Sequence, residues 1–69
     1  MANNDVPTWK LGDYVHIRYS RFPRARIVEL RGPLGPGGVE IYRVRIARKP
    51  NPIYIEVRED QLEPIPTGG

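Results

Sequence analysis

In three separate stretches of this chain, apolar residues recur at every second position. Val15, Ile17 and Tyr19 alternate with Tyr14, His16 and Arg18. Tyr42, Val44 and Ile46 alternate with Arg43 and Arg45, and Ile53, Ile55 and Val57 with Tyr54 and Glu56. A period of two marks a strand with one face in a core, because successive side chains leave the backbone on opposite sides. No run of ten or more residues carries the helical spacing, and no internal repeat is present. The chain therefore reads as all-β.

A fourth run, Arg24–Arg31, is rich in β-branched and apolar residues and predicts another strand. Its facing is ambiguous. Val28 and Leu30 inward leave Ile27 and Glu29 outward, the opposite register is also open, and the conflict points to a bulge. Strand-like runs at Arg24–Arg31, Glu40–Arg48 and Ile53–Val57 make a meander. They are joined by the tip Gly32–Gly38, with four glycines and two prolines in seven residues, and by Lys49-Pro50-Asn51-Pro52. The tip has no Lys-Ser/Thr pair, no GxGxxG spacing and no helix behind it, so it reads as a long hairpin connection and not as a phosphate cradle.

Gly12-Asp13 signals a turn into the Tyr14 strand. Arg58-Glu59-Asp60-Gln61 suits a single 3₁₀ turn, and Leu62–Ile65 a brief last strand. Trp9 and Leu11 are expected to fold over one open end of the core, where the largest apolar side chain is most useful. Phe22 either caps the core or projects from it. Residues 1–8 read as a flexible N-terminal arm, 9–66 as a barrel and 67–69 as a tail.

Sixty-nine residues allow one small domain with a thin stability margin, since a domain near this size hides only about 60% of its unfolded surface. There is no cysteine for a disulfide or thiolate site, and His16 is the one histidine, too few for a histidine-based metal site. No cofactor is expected. No run is long and apolar enough to span a bilayer, and residues 1–7 lack the form of a secretory signal, so the chain reads as soluble and cytoplasmic with no membrane partner.

Charge is unevenly spread. Between residues 16 and 49 nine Lys/Arg face only Glu29 and Glu40, whereas beyond residue 50 Arg58 stands against Glu56, Glu59, Asp60 and Glu63. Nine of the eleven cations are arginine, which suits bidentate recognition of phosphate or carboxylate. The same arginines also have a plain structural role open to them, as cross-strand partners: Arg43 and Arg45 are expected to lie opposite Glu56 and Arg58 or Tyr54.

The order of these elements resembles the SH3-like small barrel. The resemblance is carried by Gly12-Asp13-Tyr14-Val15, Ile27-Val28-Glu29-Leu30 and Arg58-Glu59-Asp60-Gln61-Leu62-Glu63-Pro64-Ile65, and it covers about residues 11–65. Similar phrases occur in KOW-type ribosomal and transcription-factor domains, in the RNA-polymerase-binding CarD-like domain and in the small barrel protein of photosystem I. A KOW-type loop carries a glycine that Ser20-Arg21-Phe22-Pro23-Arg24 lacks. Pro52-Ile53-Tyr54-Ile55 is similar to the pore strand of the SH3-like type II dihydrofolate reductases but lacks its glutamine. A shared barrel does not carry function.

No serine, cysteine or carboxylate pair is placed beside His16 by the sequence, so no enzyme activity is expected. The expected function is a small basic binding module that contacts RNA or DNA through Tyr14, Arg18, Arg21, Arg24, Arg26, Arg43 and Arg45. The alternative is protein docking, with an acidic partner or a larger assembly meeting the same surface and Phe22, Leu34 and Tyr54 as contacts. Weak self-association through edge strands is a third possibility.

Overall fold

The computed structural model describes residues 8–65, so the expected arm up to residue 7 and the tail at 67–69 lie outside the described residues. Five antiparallel strands follow one another: β1 (Tyr14–Ile17), β2 (Ala25–Gly32), β3 (Ile41–Ile46), β4 (Ile53–Arg58) and β5 (Leu62–Glu63). Short 3₁₀ turns occupy Pro36–Gly38 and Glu59–Gln61, the second where the polar Arg58–Gln61 segment predicts one. The sheet order is β4-β3-β2-β1-β5. This is the all-β small-barrel arrangement expected, left open between the edge strands β4 and β5.

The alternation in β3 and β4 decides the core. Tyr42, Val44 and Ile46 are buried, as is Val57, and Ile53 and Ile55 pack against them. Val15, Ala25, Ile27 and Leu62 complete the cluster, with Trp9, Ile17 and Phe22 packed on its margin. Trp9 thus closes the core as expected, and Phe22 caps it, whereas Leu11 is exposed and does not share that role.

The ambiguity in β2 resolves as two irregularities. Ile27 stands opposite Val44 and Glu29 opposite Arg43, so Val28 is an extra residue; Leu30 pairs with Tyr42 and Gly32 with Ile41, so Arg31 is another. Each extra residue resets the in–out parity of the strand. The reading with Ile27 outward is therefore corrected: Ile27 is 1% exposed and Val28 intermediate, while Leu30, opposite the buried Tyr42, stays on the inward side but at its margin, 39% exposed.

Tyr19 is a second correction. Alternation puts it on the inward row with Val15 and Ile17, but β1 ends at Ile17, whose carbonyl accepts the Ser20 N–H at 3.1 Å in a turn. Tyr19 sits in that turn at φ 63° and is 99% exposed. A left-handed residue reverses the chain, so the strand alternation cannot extend through it.

Two glycines serve the connections. Gly12 at φ 89° lets its N–H donate to the Ile27 carbonyl at 2.8 Å while the Asp13 carbonyl accepts from the Ile27 amide, extending the β1–β2 contact. At Gly35 a Cβ would lie 2.3 Å from Val39 Cγ1, so the tip folds on itself only without a side chain there.

The β2 correction is directly measurable. Ile27→Ala should cost about 2–5 kcal/mol in urea unfolding, as for other buried isoleucines, whereas Leu30→Ala should cost under about 1 kcal/mol. Equal losses would mean that Leu30 shares the core.

Candidate nucleic-acid interface

On the outer face, the register of four strands assembles one continuous row. Tyr14 of β1 pairs with Arg26 of β2, Arg26 with Arg45 of β3, and Arg45 with Tyr54 of β4. All four are exposed, the tyrosines by 48% and 46%. Ala25 is buried, so Arg24 and Arg26 emerge on the same side around Tyr14, with their guanidinium carbons 4.7 Å and 5.7 Å from its ring centre. Arg43 lies 5.5 Å from the Tyr54 ring centre. Such contacts hold a guanidinium over an aromatic face without neutralising it.

A parallel row beside it is chemically different. Arg43 stands between Glu29 and Glu56 on the neighbouring strands. Arg31 is 3.0 Å from Glu29 and 3.3 Å from Glu56, and Arg43 is 3.8 Å from Glu56. This row is balanced by its own carboxylates. Among the described residues, no carboxylate forms an ion pair with Arg24, Arg26 or Arg45. The outer face is thus divided into a neutralised strip and a cationic, aromatic strip.

The remaining residues singled out from the sequence fall elsewhere. Arg18 follows β1 and approaches Glu63 at 3.6 Å, and His16 Nδ1 is 2.6 Å from the other oxygen of the same carboxylate. Glu63 arrives on β5 directly opposite His16, a neighbour that the sequence did not foretell. Arg21 lies in the loop before β2 and carries no ion pair among the described residues. Leu34, exposed on the tip, borders an open groove of about 570 Å³ with Ile41, Glu56, Val57, Arg58 and Gln61. Among the described residues, no group of three or more His, Asp or Glu side chains is arranged to hold a metal ion, and no helix is long and apolar enough to cross a membrane.

One polar network ties the entering chain to the core. The Tyr42 hydroxyl accepts from the Trp9 amide at 3.1 Å and donates to Glu59 Oε2 at 2.8 Å, and the Thr8 amide donates to the same oxygen at 2.8 Å. Burial pushes the Tyr42 hydroxyl up to about 12, helped by the hydrogen bond and charge of Glu59 and opposed by the Trp9 amide. Burial alone would raise the Glu59 carboxyl as well, but donation from the Thr8 amide, the Tyr42 hydroxyl and the Thr8 side chain outweighs it and leaves it below its ordinary value. None of this network was legible in the sequence, because its members meet only once the sheet has wrapped around the core.

Compared with known proteins, the chain matches no family model, no curated protein and no solved structure.

The network sets a pH dependence with a definite sign. The lowered Glu59 carboxyl stabilises the fold above the ordinary carboxylate value of 4.5, and that contribution fades as pH falls below it. The raised Tyr42 hydroxyl contributes below its ordinary 10.0 and loses that contribution as pH climbs towards about 12. Urea unfolding followed by Trp9 fluorescence should show both losses. Glu59→Gln should reduce the acid-side loss and Tyr42→Phe the alkaline one; a Tyr42→Phe variant with the unaltered alkaline slope would place that titration elsewhere.

Proposed function

We propose that this protein is a small nucleic-acid-binding module whose contact surface is the strip Tyr14–Arg26–Arg45–Tyr54, flanked by Arg24. The observation that carries the reading is the Arg26–Arg45 pair. Like charges directly opposite one another on neighbouring strands destabilise a sheet. These two have no described carboxylate between them, although Arg31 and Arg43 a short way along the same strands are well supplied. An arrangement that costs stability and has no carboxylate to neutralise it among the described residues is accounted for by an external anion. Phosphates provide that anion, and the tyrosines at both ends of the row add faces on which bases stack. A cytoplasmic setting, where RNA and DNA are at hand, fits this reading, and no catalytic step enters it.

A second reading has its own support. The long edge of β4 is unpaired, and the groove beside Leu34 adjoins it. A protein segment adding to that edge would bury Leu34 and Tyr54 and give the module a docking role in a larger assembly. A second copy of the chain pairing at the same edge would give a weak homo-oligomer.

Arg45→Glu separates the readings. It places a carboxylate opposite Arg26, so the fold should be as stable as before or gain up to about 1 kcal/mol. Affinity for nucleic acid at low salt should fall at least about tenfold, with a shallower salt dependence. Arg31→Ala, in the neutralised strip, should change affinity about twofold or less. Unchanged nucleic-acid affinity in a folded Arg45→Glu protein would remove the strip from the interface.

A further inference from the structure

Resting on the nucleic-acid reading, we infer that the strip takes single-stranded nucleic acid, laid across the strands with bases stacked at Tyr14 and Tyr54 and the intervening phosphates on Arg26 and Arg45. The spacing of the row supports this. Neighbouring strands lie about 4.8 Å apart, so three strand-to-strand steps put Tyr14 and Tyr54 about 14 Å from each other. A stretch at the short end of known single-strand sites, about four nucleotides, is enough to engage both ends and the cations between.

The shape of the surface disfavours a duplex. The major groove is about 12 Å wide and admits a helix or a two-stranded ribbon, not the outer face of four strands. A duplex also keeps its base faces inside the stack and offers only edges to a protein. The tyrosines would then have nothing to stack on, and a strip of three arginines without carboxylate partners would supply few phosphate contacts. A single strand can turn its bases outward onto aromatic rings or guanidinium planes.

Both tyrosine sites are built as such platforms. Tyr14 has Arg24 at 4.7 Å and Arg26 at 5.7 Å, and Tyr54 has Arg43 at 5.5 Å, yet each residue stays about half exposed. Arg43 also approaches Glu56, its partner on β4, at 3.8 Å. An incoming base therefore meets a ring and a planar cation together, one at each end of the row.

The test is fluorescence anisotropy of the full chain with labelled oligothymidylate and oligouridylate of about eight nucleotides, and with DNA and RNA duplexes of equal phosphate number. Each is measured at low salt and again near 200 mM. The inference expects at least one single strand to bind about tenfold or more tightly than either duplex. Tyr14→Leu and Tyr54→Leu should each weaken that binding about 5- to 100-fold while leaving its salt dependence unchanged. Tyr54→Phe, which keeps the ring, should bind as the unaltered protein does. Equal affinity for strands and duplexes, with the tyrosine variants unaffected, would overturn the stacking arrangement and leave the nucleic-acid reading standing. Binding to none of the four would overturn that reading, and the single-strand inference with it. Should a leucine variant fail to fold, the comparison of strands with duplexes decides alone.

Discussion

The two-residue period of β3 is the constraint on which the rest of the structure depends. Its inward row, Tyr42, Val44 and Ile46, is the middle of the core, and its outward row places Arg43 and Arg45 on the same face. With β2 on one side and β4 on the other, Ile41–Arg45 of β3 have their neighbours fixed by register on both sides. A slip of one residue would send the arginines into the core, which desolvation forbids. The hydrophobic requirement therefore also determines what stands beside each arginine.

What stands beside them differs sharply over one repeat of the pleat. Arg43 falls between two glutamates, while Arg45 falls between an arginine and a tyrosine. The extra residue at Val28 is what makes this possible. Were Val28 in regular register, Glu29 would share the side of Ile27; because Val28 is bulged, Arg26 and Glu29 both face outward, one opposite Arg45 and the other opposite Arg43. A bulge in β2 thus sorts the outer face into its two strips. Exposed ion pairs such as Arg31–Glu56 contribute little to stability, so the neutralised strip matters chiefly because it leaves the adjoining cations as the positive part of that face.

Much of this was legible in the chain and some was not, for physical reasons. The Gly/Pro tip and the short Lys49–Pro52 link make β2, β3 and β4 sequence neighbours, so Glu56 and Tyr54 as the β4 partners of Arg43 and Arg45 followed from local pattern. Arg58, the other candidate, falls opposite Ile41, and the β2 partners Glu29 and Arg26 did not follow. The facing of Ile27 did not, because a bulge is a compromise between strands and not a property of one. Tyr19 was misplaced because alternation in composition continued past the point where the backbone turned. The joining of Tyr14 to Arg26, Glu63 to His16 and Glu59 to Tyr42 spans long separations, up to 47 residues for Glu63 and His16, and depends on the whole sheet having formed. The sequence therefore supplied the arginines and tyrosines of the strip as separate candidates, and only the register aligned Tyr14, Arg26, Arg45 and Tyr54 in one row.

In the proposed function the outer face binds through one strip and not through its overall positive charge. An amide-resolved NMR titration of the labelled protein with a short single-stranded RNA, at low and moderate salt, tests it most directly. Shifts are expected at Tyr14, Arg24–Arg26, Arg45 and Tyr54, weakening as salt rises, with Glu29, Arg31 and Glu56 little moved. Shifts of equal size across both strips, or centred on Leu34 and the groove beside it, would contradict it.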